Sequence, residues 1–439
     1  MSRFLRDRIR PAALVALAAA GSAWISSPAS AESAVSISQD GITWTFTQSH
    51  TVGKFANGEW WVVGPVTLDS ITPEWDGVRH GTVLNPMASD TDQGFDTRID
   101  NTTFRTSLNV ADDLPLSVPN NTSVVSVRSF QDEDTEDPPI LESIAILTVL
   151  PSAPPAGSFR PPYAGHDKTI PGKVADLDYS FLRNLTPPPS TPGKAAIDDE
   201  PLRFPILDLL KNWQNSGMKV QAAGVDHNYG RQIAYKAADV ALWLNLNYPA
   251  QEKESVMIKA VQRGIDVYGL ARHAGMEWQR NGGHNFGRKI YLLLAAKALN
   301  HEGMLEWCDG AKGVFQEDTQ HFYVAQSDID TPRAASDSAP YTQAMLGMPE
   351  WSSNPVTPQE RLIMGSEWDK PYRFVNGAPN TGIALAVSLM GLRGSWNREP
   401  FFEYIEDRYW PEENPKRTKA LNKIYPFHAD MWDAYHLPP

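Results

Sequence analysis

Cysteine is all but missing: the 439 residues hold one, Cys308. A lone thiol excludes an intramolecular disulfide and any cysteine-rich zinc site. Basic residues are also scarce, with 39 Lys and Arg against 52 Asp and Glu and a formal charge of −13. Nucleic acid demands a basic face, so a chain this acidic is poorly suited to it. No run beyond the amino terminus approaches the ~20 apolar residues that cross a bilayer. There is no βαβ alternation, which argues against a parallel-sheet fold. What the chain does hold is 41% hydrophobic and 21% charged residues, the balance of a folded soluble protein. Its 14 Trp equal its 14 Tyr; such rings serve equally as core and as surfaces on which sugars stack.

Residues 1–31 read as a secretory signal peptide. Arg3, Arg6, Arg8 and Arg10 precede the apolar run AALVALAAAGSAWI, and SSPASA ends on small residues at Ala29 and Ala31. Cleavage is expected after Ala31, which makes the protein periplasmic or secreted and without a membrane anchor. Losing four arginines and one aspartate would take the formal charge from −13 to about −16.

Three textures follow. Residues 32–150 alternate in short runs such as ITWTFT (42–47), EWWVVGPVTLDSI (59–71) and SVVSVRSF (123–130), between turns at Asp40-Gly41, Asn57-Gly58 and Asn120-Asn121. This predicts a small β-sandwich, with Trp60 and Trp61 on opposite faces of a strand. Residues 151–203 form a connector wrapped over the surface; 12 of the 35 prolines fall between 151 and 205, too dense for helices or central strands. Residues 204–439 place apolar residues at three-and-four spacing, as in GRQIAYKAADVALWLNLNY (230–248) and FGRKIYLLLAAKALN (286–300). The expected architecture is mainly α, an (α/α) toroid of helical hairpins forming an incomplete barrel, preceded by the sandwich.

Four polar stretches stand at helix ends: VDHNYGRQ (225–232), RNGGHNFGRK (280–289), the loop-like 315–345 segment and SEWDKPYRFVNGAPNTG (366–382). Each residue has a structural alternative: Asp226 or Asn228 as a helix cap, His227 as a cap or surface histidine, Glu317 and Asp318 as a solvated acidic pair. Taken together, Asn, His, Arg and Tyr suit proton removal beside a carboxylate. Donors and a cation stabilise the enolate-like state, and a Tyr or His moves the proton. That is β-elimination across a uronic-acid glycosidic bond. It requires no cofactor and no metal.

The DHNYGR and NGGHNFGRK segments, followed by FQEDTQHFYV and a Pro/Arg/Tyr loop, resemble the α/α-toroid polysaccharide lyases that cleave alginate and glucuronan, over about residues 204–410. The resemblance implies an anionic polysaccharide substrate. It implies Asn228 and His284 on the substrate carboxylate, Arg333 as charged helper and Tyr341 as catalytic tyrosine, with Tyr229 and Tyr291 as rivals of Tyr341 and Arg288 as rival of Arg333. His227, Tyr229, Arg231, Arg288, Lys289, Tyr372 and Arg373 would line the substrate. The amino-terminal β-domain departs from the family, whose sheet domain often follows the helices.

Two other readings stay open: a toroid glycoside hydrolase using Asp226 with Glu317 or Asp318, and a non-catalytic glycan-binding protein. The acidic charge would repel a polyuronate unless Arg231, Arg280, Arg288, Lys289, Arg333 and Arg373 converge on one cleft. The alternative is that these cations pair with internal carboxylates.

Overall fold

The computed structural model describes residues 31–99, 102–131, 140–198, 201–211, 230–280, 282–330, 341–351, 371–411 and 425–436, with backbone alone for 371–376. The described residues between 31 and 150 form one sheet rather than a sandwich. Its strands are β1 (Glu32–Gln39), β2 (Ile42–Lys54), β3 (Trp60–Val63), β4 (Val66–Thr72), β5 (Thr82–Leu84), β6 (Leu116–Val118), β7 (Thr122–Ser129) and β8 (Leu141–Leu150). They run in the order β5-β7-β8-β3-β2-β4-β6, with β1 also on β2, and only β3 and β8 pair in parallel. The Asp40-Gly41 turn has positive φ at both residues, 49° and 79°, the geometry of a tight hairpin between β1 and β2.

This sheet curls into a half-barrel, and its two faces do different work. On β7 and β8, Val124, Ala145, Leu147 and Val149 join Trp44, Phe46, Val52 and Val62 in a core inside the curl. The alternate residues Val125, Val127, Ile144 and Ile146 belong instead to the large core built by the helices. A strand buried on both faces reads as a near-continuous apolar run, as VVSV and IAILTVL do. Trp61 packs with Phe55 and Leu150, while half-buried Trp60 donates from its indole to the Ser38 carbonyl at 3.0 Å.

The helices are α1 (Lys194–Asp198), α2 (Gly230–Leu244), α3 (Ala250–His273), α4 (Lys289–Ala298), α5 (Glu302–Trp307), α6 (Gln316–Gln320), α7 (Gln326–Asp330), α8 (Pro371–Leu389), α9 (Arg393–Trp396), α10 (Glu399–Glu403) and α11 (Pro426–Tyr435). A short ladder pairs β9 (His321–Tyr323) with β10 (Pro349–Trp351). α2 packs on α8 and α3 on α4. A side chain at Gly264 would put its Cβ 2.2 Å from the Tyr291 carbonyl oxygen, so glycine is what lets α3 and α4 meet backbone to backbone.

The expectation of a mainly α toroid with an appended sandwich is therefore corrected. Helix accounts for 37% and strand for 21%, and the curled mixed sheet is a principal layer. Three-and-four spacing identifies a helix and its buried face. It carries no information on whether the neighbour is another helix or a sheet.

The proline-rich segment is corrected in its first part alone. Phe159, Arg160, Tyr163 and Ala164 are fully buried, so the chain there runs through the interior between sheet and α3, whereas residues 169–196 are exposed or half-buried, the surface course expected of a connector. Arg160 joins the layers: its guanidinium pairs with Glu59 beside β3 and, at 2.7 and 2.9 Å, with both oxygens of Asp266 on α3. Gln262 on α3 binds the Arg160 backbone in both directions, accepting at 2.9 Å and donating at 3.1 Å. Burial raises the Glu59 carboxyl above its ordinary value, opposed by Arg160. Removing one member of a buried ion cluster leaves uncompensated charge and costs about 3–5 kcal/mol. Arg160→Met is therefore expected to lower the urea midpoint by a corresponding amount, with circular dichroism at fixed pH as the check.

Candidate functional site

Backbone contact brings the polar stretches together. Gly230 opens α2 against the loop 282–288: a Cβ there would lie 2.0 Å from the His284 carbonyl oxygen. Gly287, at φ 88°, lies so close to α2 that its Cβ would be 2.5 Å from the Ala234 Cα. Both positions exclude any side chain, so the loop is seated on the first turns of α2.

From the other side α6 holds the same loop through side chains. Gln316 and Gln320 both donate to the Gly282 carbonyl, at 2.7 and 2.8 Å. Gln316 accepts from the Asn285 N–H at 3.0 Å, and Glu317 accepts from the Gly287 N–H at 2.7 Å. His321, directly after α6, sets Nδ1 3.1 Å from the Glu317 carbonyl and packs its ring on Phe401 and Tyr404. Tyr409 belongs to the same aromatic group and would meet a Cβ at Gly377 of the fourth stretch at 2.4 Å. Thus the described parts of all four stretches form one contiguous region, with half-buried His284 on it.

Beneath it lie two buried ion pairs. Arg288 is bidentate to Asp208, at 2.8 and 3.0 Å, and Trp278 donates to the same carboxylate at 3.0 Å. Lys289 pairs with Asp318, donates to the Trp396 carbonyl at 2.8 Å and lies 4.4 Å from the Trp396 ring centre. Arg288 and Lys289 are 0% exposed, so the expectation that they bind substrate is corrected: both cations are committed to internal carboxylates. Tyr291 is also enclosed; burial pushes its hydroxyl up to about 12, opposed by Arg263 beside it. It is as enclosed as Tyr341 and holds its proton more firmly than an ordinary tyrosine.

Tyr341 is 2% exposed and meets Phe322 edge-on, with ring centres 6.5 Å apart. Arg231 keeps partial exposure at the start of α2, and so does Arg280. Asp226, His227, Asn228, Tyr229 and Arg333 lie outside the described residues, as do the side chains of Tyr372 and Arg373. Among the described residues no group of three His, Cys, Asp or Glu side chains is arranged to hold a metal ion.

Sequence reasoning passed over Asp208, and also Asp239, which lies 3.1 Å from His428 on α11. Their signal was present: each is a carboxylate inside an apolar run, PILDLL and AADVALWL, where burial demands a partner. Tyr235, four residues before Asp239 on α2, packs against both Tyr425 and His428.

No protein-family model matches the chain, no curated protein matches it significantly, and no solved structure matches it significantly.

Glu317 gives this region a pH dependence. Burial pushes its carboxyl from 4.5 up to about 7, with the Gly287 N–H opposing and Asp318 reinforcing the rise. The folded state therefore holds this proton more firmly than the unfolded chain. Its contribution to stability is complete below the unfolded value and is lost as pH rises through about 7. Glu317→Gln keeps an acceptor for Gly287 without a charge. Between about pH 5 and 8 the native protein is expected to lose several degrees of melting temperature relative to this variant, as scanning calorimetry would measure.

Proposed function

We propose that this protein is an exported carbon–oxygen lyase that cleaves a uronic-acid polymer of the alginate or glucuronan type by β-elimination. In this reading His284 and Asn228 bind the substrate carboxylate, and Arg333 adds positive charge there. Tyr341 takes the proton from the carbon bearing the carboxylate. The electron pair left behind forms a double bond to the neighbouring carbon, the glycosidic carbon–oxygen bond breaks, and the leaving oxygen is protonated. Arg231 and Arg280 supply further positive charge at the rim.

The observation that supports elimination over hydrolysis is the state of Glu317 and Asp318. A hydrolase requires two carboxyl groups facing the glycosidic bond. Glu317 and Asp318 are 0% and 2% exposed, the first bound to the Gly287 N–H and the second neutralised by Lys289. His284, by contrast, is half-buried on a loop seated by two glycines and fastened by two glutamines, the rigidity that a carboxylate-binding group needs. Tyr341 is enclosed, so its role requires substrate to displace what covers it; Tyr229 is the alternative carrier.

Incubation with alginate, glucuronan, hyaluronan and neutral glucans, read for ultraviolet absorbance and for new reducing ends, tests the reading. An absorbing unsaturated product is expected from a uronate polymer. Reducing ends without absorbance would replace elimination with hydrolysis, and binding without product would leave a glycan-binding protein. His284→Ala and Tyr341→Phe are each expected to lower turnover by roughly 10²–10⁴-fold with an unchanged melting temperature. Full activity in Tyr341→Phe would move proton transfer to Tyr229 or His284.

A further inference from the structure

We propose that a pocket at the far end of α2 is a second, non-catalytic site that binds one carboxylated sugar ring. At 15 residues and about 1.5 Å per residue, α2 carries the chain ~20 Å from Gly230, beside the His284 loop, to Leu244. Just beyond it, a cavity of about 240 Å³ opens between the proline-rich segment and the start of α3. Tyr179, Arg183 and Asn184 line it from the first, and Tyr248, Lys253 and Glu254 from the second. Sites for drug-sized ligands run to roughly 300–1,000 Å³, so this one suits a single ring.

Three features call for an anion. Lys253 is 7% exposed, and its ammonium donates only to neutral oxygens, the Arg183 carbonyl at 3.3 Å and Asn184 Oδ1 at 3.1 Å. No carboxylate among the described residues forms an ion pair with it, and a buried cation without a counter-charge is costly. Burial accordingly lowers its pKa from the ordinary lysine value. Second, α3 is a 24-residue helix whose first residue, Ala250, also lines the cavity, and Pro249 before it provides no side-chain cap. The Glu252 and Lys253 N–H groups bond to the Pro249 carbonyl, at 3.0 and 3.1 Å, and the positive end of the helix dipole lies beside the same space. Third, exposed Arg183 fixes Nε on the Leu389 carbonyl at 2.6 Å, which keeps the guanidinium at the rim. Glu254, also exposed, is the one acidic side chain in the lining among the described residues, so their balance remains positive.

The rings call for more than a bare ion. Tyr248 stacks on Trp243 with centres 4.4 Å apart and planes 13° from parallel. One face is thus backed by a buried indole, and the opposite face or edge is what the cavity meets. Tyr179 adds a second ring, and flat apolar faces beside hydrogen-bonding groups are what a sugar presents surfaces to. The choice of a uronate rests on the function proposed above; the demand for a negative charge on a ring-sized ligand does not.

Glucuronate is the probe, because a monosaccharide has no glycosidic bond to cleave. Calorimetric titration of the full chain at low salt, carried out on the His284→Ala protein so that the carboxylate-binding histidine of the first site is absent, is expected to show binding that Lys253→Met and Tyr248→Leu each weaken at least tenfold, and that glucose and acetate each match at least tenfold less tightly. Lys253→Met removes a buried charge, so its melting temperature should hold or rise. If that variant fails to fold, exposed Arg183→Gln carries the same expectation of weakened binding. Unchanged affinity in Lys253→Met or Tyr248→Leu, no glucuronate binding, or acetate binding as tightly as glucuronate would each overturn the proposal. Polymer cleavage is read separately, so loss of this site and loss of the elimination reading give different results.

Discussion

A guanidinium sealed in the interior sets the terms for this fold. Arg160 stands where the proline-rich stretch forms no helix or strand to satisfy its backbone, yet it lies between the curled sheet and α3. Glu59 and Asp266 neutralise it, and Gln262 satisfies its backbone N–H and carbonyl. Without those partners a charge could not be withdrawn from water at that depth. With them, sheet, connector and helix share a core, as the mixed membership of β7, β8 and the helices in one apolar cluster shows.

The same device recurs under the candidate site. Asp208 and Arg288, Lys289 and Asp318, and Asp239 and His428 are all enclosed pairs between segments distant in sequence. They fasten the loop after Gly282, the start of α4 and the helices around them. Buried pairs add little net stability over apolar packing, but each demands a particular partner in a particular place. The loop that carries half-buried His284 is held by groups that never meet solvent, which gives it a fixed outline.

Much of this was legible. The Asp40-Gly41 hairpin, the strand texture up to residue 150 and the helices at 230–244, 250–273 and 289–298 follow from turn chemistry and spacing. The four polar stretches stand out in the sequence, but the backbone contacts at Gly230 and Gly287 that bring them together do not. The curled sheet beneath the helices and the burial of residues 158–165 were not legible. A helix buried on most sides looks alike in sequence whether a helix or a sheet covers it, and proline excludes regular structure without excluding burial. Nor does an arginine beside a histidine in a motif reveal its counter-ion: for Arg288 that is Asp208, 80 residues earlier.

By itself, then, the sequence determined local geometry and chemical inventory: where the chain turns, which faces are apolar, and that Asn, His, Arg and Tyr cluster at helix ends. Tertiary structure decided which of those groups are spent. Ionic partnership depends on distance in space, and burial depends on what covers a residue; neither is encoded in the spacing of neighbours. Only the folded chain withdrew Arg288, Lys289 and Tyr291 into the core, left His284 half-buried and set Lys253 in a cleft without a counter-charge among the described residues.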